Sequence, residues 1–277
     1  METVYSIFDA LIPFEWASYN FMINAFIAVL LISPLLGILG TMAVNNKMAF
    51  FSDALGHSAL TGIALGVMLG IDNMLLSMIA FGVLLSLLIT RVKAARTASA
   101  DTVVSVFSSC CVALGLVILS IGGGFSRYSQ YLIGDILSVT PRELLLLIIT
   151  LIVVLAVWSA IYNRLLLLSV NPDLAASRGI SCRLIENIFV VLVAVVVMIS
   201  IKWVGIMLIN SFLILPAAAA RNLTRSSRSH LSVSVLLALL CGISGLLISF
   251  SLNSSSGATI VLVSGAVFFI SYIFRRK

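Results

Sequence analysis

Two ionisable side chains, Asp53 and His57, lie four residues apart inside a long apolar stretch of the sequence. On an α-helix this spacing places both side chains on one face. A carboxylate oxygen and an imidazole nitrogen together suit zinc, manganese or iron(II). Spacing alone leaves three interpretations open: the pair ligates a divalent metal ion, relays protons, or forms a buried structural pair. A metal site would need further ligands from other helices or from water.

The apolar stretch around this pair, residues 48–70, is long enough to form a transmembrane helix. At about 1.5 Å rise per residue, Asp53 would lie roughly 8 Å and His57 roughly 14 Å from the start of that helix. A carboxylate near the bilayer centre costs about 2.5–3.5 kcal/mol, so it is expected to face a cavity or hold a partner. Thr61 is predicted to extend the polar stripe by one turn. An adjacent stripe of small residues predicts close packing with another helix: Ala54, Ser58, Gly62 and Gly66.

The whole chain has the composition of a membrane protein. Of its 277 residues, 61% are hydrophobic and 9% are charged, whereas soluble domains carry about a quarter charged residues. We therefore predict an all-α fold, a polytopic transmembrane helix bundle of eight to nine spans that forms a single domain over residues 1–277. The count is eight if the seventh segment, which only Lys202 and Trp203 separate from the sixth, is short or re-entrant. The apolar segments are 17–41, 48–70, 73–90, 102–121, 143–163, 184–201, 203–220, 231–251 and 257–274.

The net charge of +6 is distributed as membrane orientation requires. Basic residues cluster in alternate connections and at the C-terminus, and the positive-inside rule makes those connections cytoplasmic. This pattern argues against nucleic-acid binding. It predicts that residues 164–183 and the C-terminus are cytoplasmic. The acidic N-terminus and residues 122–142 are then external.

The connection 164–183 is the longest of the predicted cytoplasmic ones, and it contains the signals of a short helix. Asn171 is a favourable N-cap, Pro172 suits the first turn, and Asp173 favours the positive end of the helix dipole. Gly179 can end the helix. A short helix between two spans either transmits the movement of an attached subunit or simply bridges the spans.

The segment with Asp53 and His57 resembles the zinc, manganese and iron permeases of bacterial ABC transporters. The motif here reads Asp53-Ala54-Leu55-Gly56-His57-Ser58, followed by Gly62-Ile63-Ala64-Leu65-Gly66. Gly56 departs from the pattern, because such proteins commonly have serine there. The resemblance runs from about residue 17 to 274, and three further stretches carry it: 131–137 with Thr140-Pro141, 171–179, and 204–221.

This resemblance implies a transport subunit of the bacterial plasma (inner) membrane, without enzymatic activity of its own and with no permanently bound cofactor. The divalent metal ion would be its substrate, with Asp53 and His57 as ligands. The expected partners are a second permease subunit, identical or different, cytoplasmic ATP-binding subunits and an external metal-binding protein. The residues implied in coupling to the ATPase are Asn171, Pro172, Asp173, Leu174, Ala175 and Gly179.

The sequence contains no Gly-x-x-x-x-Gly-Lys-Ser/Thr motif for cradling phosphates, so ATP hydrolysis would be supplied by another chain. The alternative function is a proton-coupled secondary transporter that uses the Asp–His pair, but it leaves the short helix unexplained. A membrane metalloprotease would need a His-Glu-x-x-His motif, which is absent from the sequence.

Overall fold

The structure is a computed structural model that describes residues 18–95, 98–121 and 134–275. The acidic N-terminus and residues 122–133 of the predicted external connection, with Tyr131 of the family motif, lie outside these ranges. Within them the chain forms α-helices joined by short connections, with one 3-10 turn at Ile136–Ser138. The predicted all-α class is therefore confirmed.

Each of the nine apolar segments contains one long helix, and a short helix lies between the fifth and sixth of them. Short connections of a few residues join most of these helices. The helices are α1 Asn20–Asn45, α2 Ala49–Met68, α3 Met74–Ala94, α4 Ala100–Ile121, α5 Pro141–Val170, the short α6 Pro172–Ser177, α7 Cys182–Val204, α8 Ile206–Leu223, α9 Ser227–Leu252 and α10 Ser256–Ile273.

Seven of the long helices in the described residues are apolar and long enough to cross a membrane by themselves: α1, α3, α4, α5, α7, α9 and α10. The other two long helices are α2, which carries Asp53 and His57, and α8. Both pack against several neighbours in the bundle. This arrangement agrees with the predicted bundle of eight to nine spans.

Local sequence signals set several helix boundaries. Asn73 caps α3 by accepting a hydrogen bond from the Leu76 amide at 3.2 Å. Thr140 and Glu143 form a capping box at the start of α5. The break before α8 lies at Gly205, whose φ of 90° favours glycine. The expected break at Lys202 and Trp203 was wrong by two residues, because both remain inside α7.

Contacts between helix ends show which termini share a side of the bundle. Lys93 at the end of α3 pairs with Glu186 at the start of α7, with 2.8 Å between Nζ and Oε1. Arg221, near the end of α8, donates to Asn45 at the end of α1 at 3.3 Å. At the other side, Lys202 near the end of α7 pairs with Glu143 at the start of α5. Helix α7 therefore runs in the opposite direction to both α3 and α5, whereas α1 and α8 run in the same direction.

We call the side that carries Lys93 and Arg221 the basic end of the bundle. Its assignment to the cytoplasm follows from the positive-inside rule and remains a prediction. Among the seven helices that could cross a membrane by themselves, α1 and α7 are the most enclosed, with 67% of the most apolar window of each buried. The corresponding window of α4 is 22% buried, so α4 lies at the periphery of the helix bundle.

Cysteine labelling tests this orientation. In a variant whose native cysteines are replaced, Ser177→Cys at the basic end and Asp72→Cys at the opposite end should react with an impermeant thiol reagent from opposite sides of the membrane. Both positions are exposed, so access is decided by the bilayer. Intact cells should label Asp72→Cys, and Ser177→Cys only after permeabilisation. Labelling of both positions in intact cells would contradict the scheme.

Candidate metal site on helix α2

The middle of helix α2 is enclosed by its neighbours α3, α4, α7 and α8. Between residues 51 and 64, twelve of fourteen side chains are buried, and the two that are not are Asp53 and His57. Their side chains are 41% and 35% exposed. The two ionisable groups therefore mark one accessible strip within the buried middle of the helix.

The two side chains point to the same place. His57 Nε2 lies 3.7 Å from Asp53 Oδ2, across the one helical turn that separates them. Ligand atoms about 2.0–2.2 Å from a tetrahedral metal ion lie roughly 3.4 Å from each other. The observed separation is therefore a few tenths of an ångström wider than a single bound ion needs. Rotamer adjustment of either side chain covers that difference without moving the helix.

The residues that immediately precede Asp53 and His57 are both in contact with α8. The hydroxyl of Ser52 donates a hydrogen bond to the side-chain oxygen of Asn210. A Cβ at Gly56 would lie 3.1 Å from the backbone carbonyl oxygen of Ile206, which is tighter than ordinary packing. The amino-terminal half of α8 thus supports the helix directly behind both candidate ligands.

This contact gives the departure at Gly56 a physical reason. A serine side chain there would press on the carbonyl of Ile206, whereas glycine lets the backbones of α2 and α8 approach closely. An amide inside an apolar segment favours an interhelical hydrogen bond, and Asn210 makes one. Its partner Ser52 is 158 positions away, so no local pattern could have indicated the pair.

The predicted extension of the polar stripe to Thr61 was wrong. Thr61 is buried, and its hydroxyl donates to the backbone carbonyl of Cys111 on α4. The reason is that α4 packs closely on this part of α2: a Cβ at Gly115 would lie 2.9 Å from the Thr61 nitrogen. The accessible strip therefore ends at His57.

The stripe of small residues packs closely where its last two members, Gly62 and Gly66, meet α3. A Cβ at Gly62 would lie 2.9 Å from the Met78 Cα, and one at Gly66 would lie 2.7 Å from the Ser77 hydroxyl. The Ser77 hydroxyl also donates to the Gly62 carbonyl at 2.6 Å. Small residues in this position let two helix backbones approach in the membrane, as the spacing predicts.

Filling this seam should destabilise the bundle. Gly62→Leu forces a side chain against the backbone of α3, and overpacking of this kind costs about 1–3 kcal/mol. The matched control is Gly265→Leu on α10, because a Cβ at Gly265 meets nothing within 4 Å. Thermal unfolding of the purified protein should show a lower midpoint for Gly62→Leu and little change for the control. Equal midpoints for the two variants would contradict the packing described here.

The described residues contain no cluster of three or more His, Cys, Asp or Glu side chains that could hold a metal ion. The second histidine, His230, is buried, and its Nε2 lies 2.9 Å from the Ala217 carbonyl oxygen. It joins α8 to α9 and faces the backbone. Asp53 and His57 can therefore supply two protein ligands, and a complete coordination sphere needs donors from outside this cluster.

The short helix α6 has the local structure that its sequence indicates. The side-chain oxygen of Asn171 accepts a hydrogen bond from the Leu174 amide at 3.0 Å, which caps the helix. Pro172 and Asp173 lie in the first turn. Gly179, with φ of 72°, follows the helix. The connection is shorter than the predicted 164–183, because the apolar run carries α5 on to residue 170 and includes Arg164 in it.

Helix α6 and the residue that precedes α2 line the same cavity at the basic end. This cavity has a volume of about 420 Å³, and Pro172 of α6 and Met48 are both in its lining. Ala175 is fully buried against the bundle, whereas Asp173 and Leu174 are exposed. One face of α6 is thus held by the membrane helices and the other is open. The cavity is lined by Asn46, Met48, Thr90, Lys93, Ala94, Leu165, Leu168, Pro172, Cys182, Arg183, Glu186 and Phe189.

Comparison with known proteins places this geometry in a family. The sequence profile of the ABC 3 transport family matches residues 18–275. The manganese import system permease protein ScaB of Streptococcus parasanguinis is 33% identical over 259 residues, which cover 94% of this chain and 92% of that protein. The high-affinity zinc uptake system membrane protein ZnuB of Haemophilus influenzae is 30% identical over 260 residues, which cover 94% and 99%.

A solved structure agrees with these relatives. PsaBC from Streptococcus pneumoniae, in complex with Fab, superposes with a TM-score of 0.82 at 27% sequence identity, over 98% of this chain and 95% of that one. The helix bundle is therefore that of a multi-pass membrane permease. This chain belongs to the ABC 3 transport family, as the motifs on α2 and the later segments indicate. The expectation of a bacterial multi-pass membrane protein is confirmed.

Proposed function

We propose that this chain is the membrane-spanning subunit of an ATP-driven importer of divalent transition metal, and that Asp53 and His57 ligate the metal ion in transit. The observation that carries the proposal is the accessibility of these two side chains within residues 51–64 of α2, a stretch that is otherwise buried. Similarity to ScaB and ZnuB, named for manganese import and zinc uptake, supports these metals as substrates. Oxygen and nitrogen ligands suit both, and iron(II) as well.

Electrostatics supports a cation as the occupant of this strip. A carboxylate inside an apolar helix is unfavourable unless a positive charge compensates it. The His57 imidazole faces Asp53, with 3.7 Å between Nε2 and Oδ2. A divalent ion would compensate the carboxylate more strongly than an imidazole does. Water or a second permease subunit, packed against the open strip, would supply the remaining ligands.

The energy for transport would come from other subunits. Since the sequence has no phosphate-binding loop, we infer that separate cytoplasmic ATP-binding subunits hydrolyse ATP and contact the open face of α6. An external metal-binding protein would deliver the ion to the opposite end of the bundle. The proton-coupled secondary transporter is not supported, because the matched family is one of ABC transporters.

Uptake of metal tests this proposal. The chain, expressed with its ATP-binding subunit in a bacterial strain that lacks its own manganese and zinc importers, should restore accumulation of one of these metals. Omitting the ATP-binding subunit is the control and should abolish accumulation. Uptake that continues without it, and that collapses when the proton gradient is dissipated, would favour the secondary transporter and contradict the proposal.

A further inference from the structure

Helix α3 contacts two helices: α7, which follows α6 in the chain, and α2, which carries the candidate metal ligands. We propose that α3 transmits movement of α6 to the Asp53–His57 strip, and that Lys93 and Glu186 are the positioning residues that fasten α3 to the moving end. The inference rests on the proposed function, because it concerns how the ATP-driven movement reaches the metal. Three sets of contacts carry it.

The first set ties α6 to the start of α7. The Ile180 amide donates to the Ala175 carbonyl at 3.1 Å, so the turn after α6 folds back on its buried residue. The thiol of Cys182, the first residue of α7, lies 3.8 Å from the Pro172 carbonyl oxygen. Only residues 178–181 separate the two helices. A displacement of α6 therefore displaces the first turn of α7.

The second set ties α7 to α3. Glu186, one turn into α7, accepts a hydrogen bond from the Lys93 ammonium at 2.8 Å. Each side chain is 29% exposed, so the pair is partly shielded from water and stronger than a fully solvated one. Further along, a Cβ at Gly82 would lie 2.5 Å from the Met198 methyl carbon. The Met198 side chain of α7 therefore packs directly on the backbone of α3 at Gly82.

The charges around this ion pair give it a specific role. Arg91 and Arg183 line a cavity of about 560 Å³ together with Glu186, which is the acidic residue among its lining side chains. Of the cations at this end of the bundle, the Lys93 ammonium is the one that forms an ion pair with Glu186 in the part of the chain that the structure describes. Neutralising either Lys93 or Glu186 removes this pair, so the ends of α3 and α7 would lose the contact that fixes them to each other.

The third set ties α3 to α2. The Ser77 hydroxyl donates to the Gly62 carbonyl at 2.6 Å, and both residues are buried. Gly62 approaches the backbone of Met78 closely, as described above. His57 lies five residues before Gly62 on the same helix, roughly 7.5 Å along its axis. A shift or tilt of α3 is therefore passed to the part of α2 that holds the strip.

A double-mutant cycle on the ion pair tests this path, because mere proximity does not demonstrate coupling. The transporter is purified with its ATP-binding subunits, and metal-stimulated ATP hydrolysis and metal affinity are measured per assembled complex. Lys93→Gln and Glu186→Gln should each lower metal-stimulated hydrolysis roughly tenfold, with metal affinity changed less than about twofold. The swapped pair, Lys93→Glu with Glu186→Lys, should recover hydrolysis to within about threefold of the native complex.

Arg91→Gln is the matched control, since it removes a neighbouring cation without touching the pair, and it should leave hydrolysis unchanged. Native stimulation in the single variants would overturn the inference. So would a swapped pair that assembles without recovering, or single variants that fail to assemble, which would show a role in folding only. Failure of the proposed function looks different: the native complex itself would then show no stimulation by metal.

Discussion

Uptake of divalent metal should fall at least about a hundredfold when Asp53 is replaced by asparagine or His57 by alanine, in cells that still assemble the transporter. Mutating a residue that only orients a metal ligand already lowers metal affinity about 10–100-fold, so loss of a ligand itself should cost at least as much. Asp53→Asn keeps the size of the side chain and removes its charge, and His57→Ala removes the nitrogen. Uptake of radioactive manganese or zinc, normalised to transporter in the membrane, measures the effect.

Asp101→Asn is the matched control for the loss of a carboxylate, because Asp101 is exposed in the first turn of α4. Uptake by this variant should equal that of the native protein. The proton-relay interpretation makes a different prediction, in which His57→Ala still binds metal and loses only its response to pH. Native uptake in Asp53→Asn would show that the strip on α2 is not on the path of the ion.

Reversing the charge of Asp173 should abolish transport-linked ATP hydrolysis and leave metal binding intact. Asp173 is exposed in the first turn of α6, on the side that the bundle leaves open. Asp173→Lys places a positive charge at the positive end of the helix dipole and on the surface proposed to contact the ATP-binding subunit. Metal-stimulated ATP hydrolysis should fall to the rate measured without metal, whereas equilibrium metal binding to the purified complex should be unchanged.

Two further variants sharpen this result. Asp101→Lys makes the same charge reversal in the first turn of α4 and should not affect hydrolysis. Ala175→Pro removes the backbone bond that the Ala175 amide donates to the Asn171 carbonyl at 3.1 Å, and it should uncouple the transporter as Asp173→Lys does. Normal uptake in both α6 variants would mean that the ATP-binding subunit contacts another part of the chain.

The helices of this fold could be predicted because their signals are local. Runs of apolar residues indicate the nine long helices, and the N-cap at Asn171 indicates where the short helix begins. Spacing alone placed Asp53 and His57 on one face, and it also indicated the close packing of Gly62 on α3. All of these features depend on residues only a few positions apart.

The surroundings of the site could not be predicted in the same way, because they depend on pairs far apart in the sequence. Thr61 has the right spacing to continue the strip, but α4 covers it through the Cys111 carbonyl. Ser52 meets Asn210 across 158 positions, and Lys93 meets Glu186 across 93. Local patterns in one sequence do not reveal which helices become neighbours, and therefore which polar residues are covered.

Metal binding by the purified transporter tests the central claim most directly. The complex is prepared without the external metal-binding protein, and manganese or zinc bound per complex is counted at equilibrium for the native chain and for the Asp53→Asn, His57→Ala double variant. The native complex should bind metal, and the double variant should retain none above the background of metal-free protein. Equal occupancy of the two would contradict the assignment of Asp53 and His57 as the ligands.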